Sequence, residues 1–201
     1  MKMPLQLQSE DVQSFERRSN SYENSFLFNF FFDWIQRIAL DSIPKGISPE
    51  NILDIGCGTG RLLRKAAKCW PAARLTGVDP SEGMLKEAHR LTPQAQFQLS
   101  LAETLPLPDG SVDLVLSTMS FHHWQDQFQG VQQARRVLCP GGFFVLVDIW
   151  LPLGLGKIFR HGRKAPPAAV REMFTRAGLE IQAQRRVLAN FLLVTVGSRS
   201  G

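Results

Sequence analysis

The sequence has little with which to cross a membrane, staple itself with disulfides or hold a metal. Its most apolar stretch, residues 26–40, is broken by Asn29, Asp33, Gln36 and Arg37. It falls short of the ~20 consecutive apolar residues that span a bilayer. Only three cysteines occur, Cys57, Cys69 and Cys139. They cannot all pair, and none stands in a CxxC or Cys/His ligand spacing, so reduced thiols in a soluble cytoplasmic protein are expected and no metal centre. Residues 1–10 show no apolar run ahead of a cleavage site, so no signal peptide is read there. Neither sign of charge dominates: 23 Lys and Arg against 18 Asp and Glu leave a net charge of +5. That excess is too small and scattered to point to nucleic acid. No internal repeat or low-complexity linker is present.

What is there is ordinary globular material. With 201 residues, 44% of them hydrophobic and 20% charged, the chain can bury one good core as one structural domain. Residues 1–50 read as a helical segment that lids or covers the rest. Phe26 to Ile38 carries a wide apolar face with a narrow polar stripe at helical spacing. From Asn51 onward, strands and helices alternate. Strands are expected at Ile52–Ile55, Leu75–Asp79, Ala95–Leu99, Val112–Ser117, Phe143–Asp148, Glu180–Arg186 and Phe191–Val196. Helices are expected at Arg61–Cys69, after Ser81, over Asp126–Leu138 and over Pro167–Ala177. This rhythm implies an α/β, Rossmann-like fold over residues 51–201. Its seven-stranded sheet should be mostly parallel, with helices on both faces. The last two strands have no helix between them and should form an antiparallel hairpin at one edge.

Two signals carry chemistry. Ile52-Leu53-Asp54-Ile55-Gly56-Cys57-Gly58-Thr59-Gly60 is a buried strand ending in an acidic residue and a triple-glycine turn into a helix. An open α/β sheet places its ligand crevice at such a junction, where glycines let a ligand approach the backbone. Asp79 ends the second strand, 19 residues beyond Gly60, where a carboxylate accepts bonds from the two hydroxyls of a ribose. The same aspartate could merely start the Ser81 helix. A dinucleotide fingerprint would read GxGxxG, but here Arg61 holds the last glycine's place. Asp54 would repel a pyrophosphate and suits a ligand bearing an ammonium and a sulfonium, as S-adenosylmethionine does.

Four segments, in order, resemble class I S-adenosylmethionine-dependent methyltransferases. They are Asp54–Gly60, Gly77-Val78-Asp79-Pro80-Ser81 with Met84-Leu85, Ala102-Glu103-Thr104-Leu105-Pro106-Leu107-Pro108, and Leu138-Cys139-Pro140-Gly141-Gly142. The nearest subgroup is the small-molecule one that includes the ubiquinone/menaquinone biosynthesis C-methyltransferases. The resemblance covers about residues 50–150. It implies that Gly56, Cys57, Gly58 and Gly60 line the methionyl part of S-adenosylmethionine and that Asp54 helps hold its amino group. It further implies that Asp79 binds the ribose, Pro80 and Met84 pack near the adenine, Ala102 and Glu103 lie along the adenine edge, and Ser117 and Thr118 close the site. The product would be S-adenosylhomocysteine. Relatives often carry an aspartate just before the Ala-Glu pair; this chain has Leu101.

Methyl transfer needs a base only when the nucleophile must lose a proton. His122 is the candidate catalytic base, with His123 beside it, although a histidine between Phe121 and Trp124 can equally be a packing residue. Tyr22 could sit over the cofactor in an N-terminal lid. The basic run Lys157–Lys164 would suit an anionic acceptor or a membrane surface, or would simply be a solvated loop. The expected function is methyl transfer to a small-molecule acceptor, lipophilic or anionic, by a monomer or homodimer. An RNA methyltransferase, a non-catalytic S-adenosylmethionine-binding subunit and a nicotinamide oxidoreductase stand as the alternatives.

Overall fold

The computed structural model describes residues 26–150 and 164–201, with side chains from Phe30 onward. Tyr22 and residues 157–163 of the basic run lie outside the described residues. The elements run α1 (Phe26–Asp41), β1 (Asn51–Ile55), α2 (Arg61–Cys69), β2 (Arg74–Asp79), α3 (Glu82–Leu91), β3 (Gln96–Leu99) and β4 (Val112–Thr118). They continue with α4 (Gln127–Val137), β5 (Leu138–Ile149), α5 (Pro167–Arg176), β6 (Leu179–Val187) and β7 (Leu192–Arg199). Short 3-10 turns cover Ala102–Thr104 and Phe121–His123.

The seven strands form one sheet in the order β3-β2-β1-β4-β5-β7-β6. All neighbours are parallel except the two pairings of β7, which is antiparallel to β5 and to β6. The hairpin thus folds back so that β7 lies inside the sheet and β6 takes the edge. Burial follows this arrangement: β7 is buried from Leu192 to Ser198, while β6 exposes Glu180, Gln182, Arg185 and Arg186. Polar residues on an edge strand discourage pairing with other chains.

Each strand alternates its side chains between two apolar layers. Ile52, Leu114, Leu116, Val145 and Val194 face α1, α2 and α3, where Ile35, Leu63 and Ala88 complete the layer. Leu53, Val115, Phe144, Leu146 and Leu193 face α4 and α5, against Val131, Ala134, Val170 and Phe174. Ser81 and Asp126 cap α3 and α4, each accepting a backbone N–H from the first turn, Met84 and Gln129 respectively. No helix among the described residues is long and apolar enough to cross a membrane.

The largest boundary difference from the sequence reading is in β5. The strand expected at Phe143 begins at Leu138, directly at the end of α4. Pro140-Gly141-Gly142 is absorbed as an irregularity: Val112 pairs with Leu138, and the register then shifts before Leu114 pairs with Phe143. A proline and two glycines interrupt the ladder without ending it, as a bulge does.

Phe174 shows how tightly the second layer closes. Its fully buried ring stacks on Phe144 at 5.0 Å between centroids. It lies over Gly197 of β7, where an added Cβ would stand 2.7 Å from the ring. Phe174→Ala should therefore cost about 3–5 kcal/mol of unfolding free energy. Urea denaturation reads this directly; a loss below about 1 kcal/mol would mean that the ring's packing does not hold α5 to the sheet.

Candidate functional site

The sheet order reverses direction between β1 and β4, and connections leaving these two strands diverge, so a crevice opens at their carboxyl ends. The glycine turn after β1 occupies this crevice. The backbone N–H groups of Gly56 and Cys57 both donate to Val78 O, at 2.8 and 3.0 Å, which stitches the turn to β2. Gly56 has φ +73°, and a Cβ there would stand 2.3 Å from the Ser120 Cβ. Only glycine meets both constraints. Ser120 in turn donates through Oγ to Ile55 O at 2.9 Å, so the segment after β4 is pinned against the turn. Gly58, at φ +51°, is the opposite case: a Cβ would meet nothing within 4 Å, and its backbone faces open space.

Two carboxylates stand at this junction. Asp79 accepts the Gly58 N–H on Oδ2 and the Ser81 N–H on Oδ1, each at 2.9 Å, and so ties the glycine turn to the start of α3. Ser81 supplies the helix cap through its own Oγ, so the cap role does not fall to Asp79. Asp54 is 1% exposed, and its Oδ1 has no hydrogen-bond partner among the described residues. Burial, and then the neighbouring Asp79 charge, push its carboxyl up to about 8. Burial likewise drives the Cys57 thiol well above its ordinary range, with the charges of Asp79 and Asp54 adding to the effect.

The cleft wall brings together Asp54, Gly56, Cys57, Gly58, Asp79, Pro80, Met84, Ala102, Glu103, Thr118 and His123 from the sequence-selected set. Three of that set are placed elsewhere. Gly60 starts α2 and packs toward Phe97. Ser117 is fully buried behind the wall, with its Oγ 2.8 Å from Ser120 Oγ. His122 is turned away from the wall and bonds Asp148, Nδ1 to Oδ1 at 2.6 Å. Glu103 is buried and accepts the Asp126 N–H at 3.0 Å, which anchors the turn after β3 to the start of α4.

The structure adds residues that the sequence reading missed. Phe32 and Gln36 of α1 reach the cleft, as do Leu101, Met119, Trp124 and Gln125. Gln36 is 5% exposed and its Oε1 is unpartnered. The sequence reading placed Gln36 in a narrow polar stripe with Asn29, Asp33 and Arg37. Asp33 and Arg37 are both exposed, and Asp33 meets Lys65 of α2 at 2.8 Å. Asp148 was missed as well, although its signal is the one that marked Asp54: an acidic residue inside an apolar strand.

The family described as "Methyltransferase domain" matches residues 53–146, which is the stretch from β1 to β5. A malonyl-[acyl-carrier protein] O-methyltransferase of Geobacter sulfurreducens is 37% identical over 113 residues, covering 55% of this chain and 42% of that protein. A demethylmenaquinone methyltransferase of Chlorobaculum parvum is 34% identical over 108 residues, 54% of this chain and 44% of that protein. The chain thus spans less than half the length of either relative. The protein solved in complex with the Haloferax volcanii Trm112 methyltransferase activator superposes with a TM-score of 0.78 at 21% identity, over 96% of this chain and 99% of that one. That likeness is one of fold.

The Asp54 environment makes a prediction of its own. An aspartate of ordinary pKa 3.8 that titrates near 8 when folded keeps a proton that the unfolded chain has released. Its burial therefore penalises the ligand-free fold increasingly as pH rises from about 4 to 8. Asp54→Asn should remove that penalty, and the stability gap between variant and wild type in urea titrations should widen with pH across the window. A gap that stays constant with pH would show that Asp54 is ionised throughout.

Proposed function

We propose, from the match of residues 53–146 to the family described as "Methyltransferase domain", that the chain transfers a methyl group from S-adenosylmethionine to a small lipophilic acceptor. One observation carries the reading: two buried acceptor atoms of cleft-wall residues, Asp54 Oδ1 and Gln36 Oε1, have no hydrogen-bond donor among the described residues. Each such atom costs ~1–3 kcal/mol while unsatisfied. A ligand with an ammonium group would satisfy them and let Asp54 ionise.

The other residues fit the same ligand. Gly58 leaves its backbone open. Asp79 accepts the Gly58 and Ser81 N–H groups, and a carboxylate can accept ribose hydroxyls as well. Pro80, Met84, Leu101 and Ala102 supply an apolar wall for an adenine ring. When bound, S-adenosylmethionine supplies an electrophilic methyl group, the electron pair of its carbon–sulfur bond returning to sulfur. The chain's own contribution is to hold donor and acceptor in line and to keep water out. Orientation of this kind is worth up to ~7–11 kcal/mol. α1 assists by laying Phe32 and Gln36 over the crevice.

For the acceptor, a quinol-like ring is favoured by the demethylmenaquinone and phytylquinol methyltransferases among the relatives. The aromatic and thioether side chains of Phe32, Trp124 and Met119 at the cleft suit it too. Three unpaired thiols suit the cytoplasm.

Calorimetric titration with S-adenosylmethionine, S-adenosylhomocysteine and NAD in parallel tests the reading. Saturable binding of the first two and none of NAD is expected; binding of NAD alone would overturn it. Asp79→Asn removes the charge from a bond worth ~1.5–3 kcal/mol and should weaken S-adenosylhomocysteine binding roughly ten- to a hundredfold. Unchanged affinity would take Asp79 out of the site.

A further inference from the structure

The apolar surface of α1 is wider than its packing uses. Helical spacing sorts its side chains into stripes. Ile35, Ala39 and Ile43 are buried on the sheet, Phe32 and Gln36 reach the cleft, and Asp33, Arg37 and Asp41 are exposed. A further stripe of Phe30, Trp34 and Ile38 is apolar as well, yet Phe30 is 71% exposed and the other two are only half-buried. Phe31 beside it is 37% exposed. Asp33 meets Lys65 of α2, so the polar stripe faces α2. The apolar one lies on the other side, toward β6, where Arg185 donates to Ser42 Oγ at 3.0 Å.

A second apolar feature stands at the carboxyl end of β5, the end on which the cleft opens. β6 and β7 are joined through Leu188-Ala189-Asn190, all in the left-handed region with φ of +53°, +48° and +72°. Asparagine tolerates that region, whereas leucine and alanine enter it at a cost. The turn is held by Phe191 N–H to Leu188 O at 2.9 Å and by Trp150 N–H to Phe191 O at 2.7 Å. It leaves Leu188 43% and Phe191 37% exposed. A hairpin that needed only to close would be better served by glycine at these positions. Strain kept at an exposed leucine points to a use for that side chain outside the fold.

Charge is sorted in the same direction. Arg185 and Arg186, both exposed, lead into the turn on β6. The exposed acids Glu82 and Asp126 begin α3 and α4 instead, on the β2 and β3 side of the crevice. Apolar side chains backed by guanidinium groups match the interface of a bilayer that carries anionic lipid. Rings and leucine enter among the headgroups, and the cations meet the phosphates.

We propose that the outer stripe of α1, the β6–β7 turn and the Arg185–Arg186 pair together dock on an anionic lipid bilayer. The use of such docking rests on the methyl-transfer reading above: it brings the cleft to a lipophilic acceptor dissolved in the bilayer.

Flotation of the full chain with phosphatidylcholine vesicles, with and without phosphatidylglycerol, tests the docking. Retention on the anionic vesicles should exceed that on neutral ones by roughly tenfold and should fall with added salt. Leu188→Ser combined with Phe191→Ser, and separately Phe30→Ser, should each lower retention on anionic vesicles roughly tenfold. Arg185→Gln combined with Arg186→Gln should erase the preference for them. None of these side chains lines the cleft, so every variant should bind S-adenosylhomocysteine as wild type does. A wild type that stays off anionic vesicles would overturn the proposal, as would retention that the apolar substitutions leave unchanged. A wild-type dimer that those substitutions dissociate, without vesicle binding, would assign the face to a second copy of the chain and overturn it too. A chain that floats as expected but binds no S-adenosylhomocysteine would defeat the methyl-transfer reading and leave the docking face standing.

Discussion

Two carboxylates buried side by side at the ends of adjacent parallel strands are the constraint around which this structure is arranged. Asp54 and Asp79 lie where β1 and β2 deliver their carboxyl ends into one crevice. Like charges in a low-dielectric site cannot both ionise cheaply. Asp79 is held by two backbone N–H groups. Asp54 has an unpartnered oxygen and a carboxyl pushed up to about 8. The fold therefore carries a stored cost, and strain of this sort persists only where the surroundings over-determine it.

The surroundings do so through the sheet. Strand ends on the two sides of the crevice are fixed by ladders that continue through β4, β5 and β7, with apolar layers closing both faces. The glycine turn is bonded to β2, and the segment after β4 is bonded back to β1 through Ser120. Neither loop can relax to solvate Asp54 without breaking these bonds. Glu103 performs a related task on the far wall by anchoring Asp126, so the turn that presents Leu101 and Ala102 moves with α4.

The site divides its charges by side. The carboxylates of Asp54 and Asp79 gather where a cationic, ribose-bearing ligand would lie. The Asp148–His122 pair stands at the carboxyl end of β5, its imidazole 4.0 Å from the ring of His123, which lines the cleft. Buried acidic residues appear on both sides, but their partners differ. One carboxylate has no donor for its free oxygen, and the other orients an imidazole.

Much of this was legible in the chain. Alternation of apolar strands with amphipathic helices named the α/β fold, because periods of two and 3.6 are local properties of sequence. The glycine turn and Asp79 marked the cleft, because a strand–turn–helix junction needs those residue types at that spacing. Other features depended on which distant segments meet. Gln36 reads as part of a polar stripe until α1 docks on the sheet and turns it into a buried wall residue. Ser117 and His122 sit next to cleft residues in sequence, yet alternation along β4 and the 3-10 turn after it point them elsewhere. Asp148 finds its partner 26 residues away, across two strands that only the sheet brings together. Spacing within a motif fixes chemistry that acts over one turn of chain; contacts between motifs are set by packing, which no local pattern records.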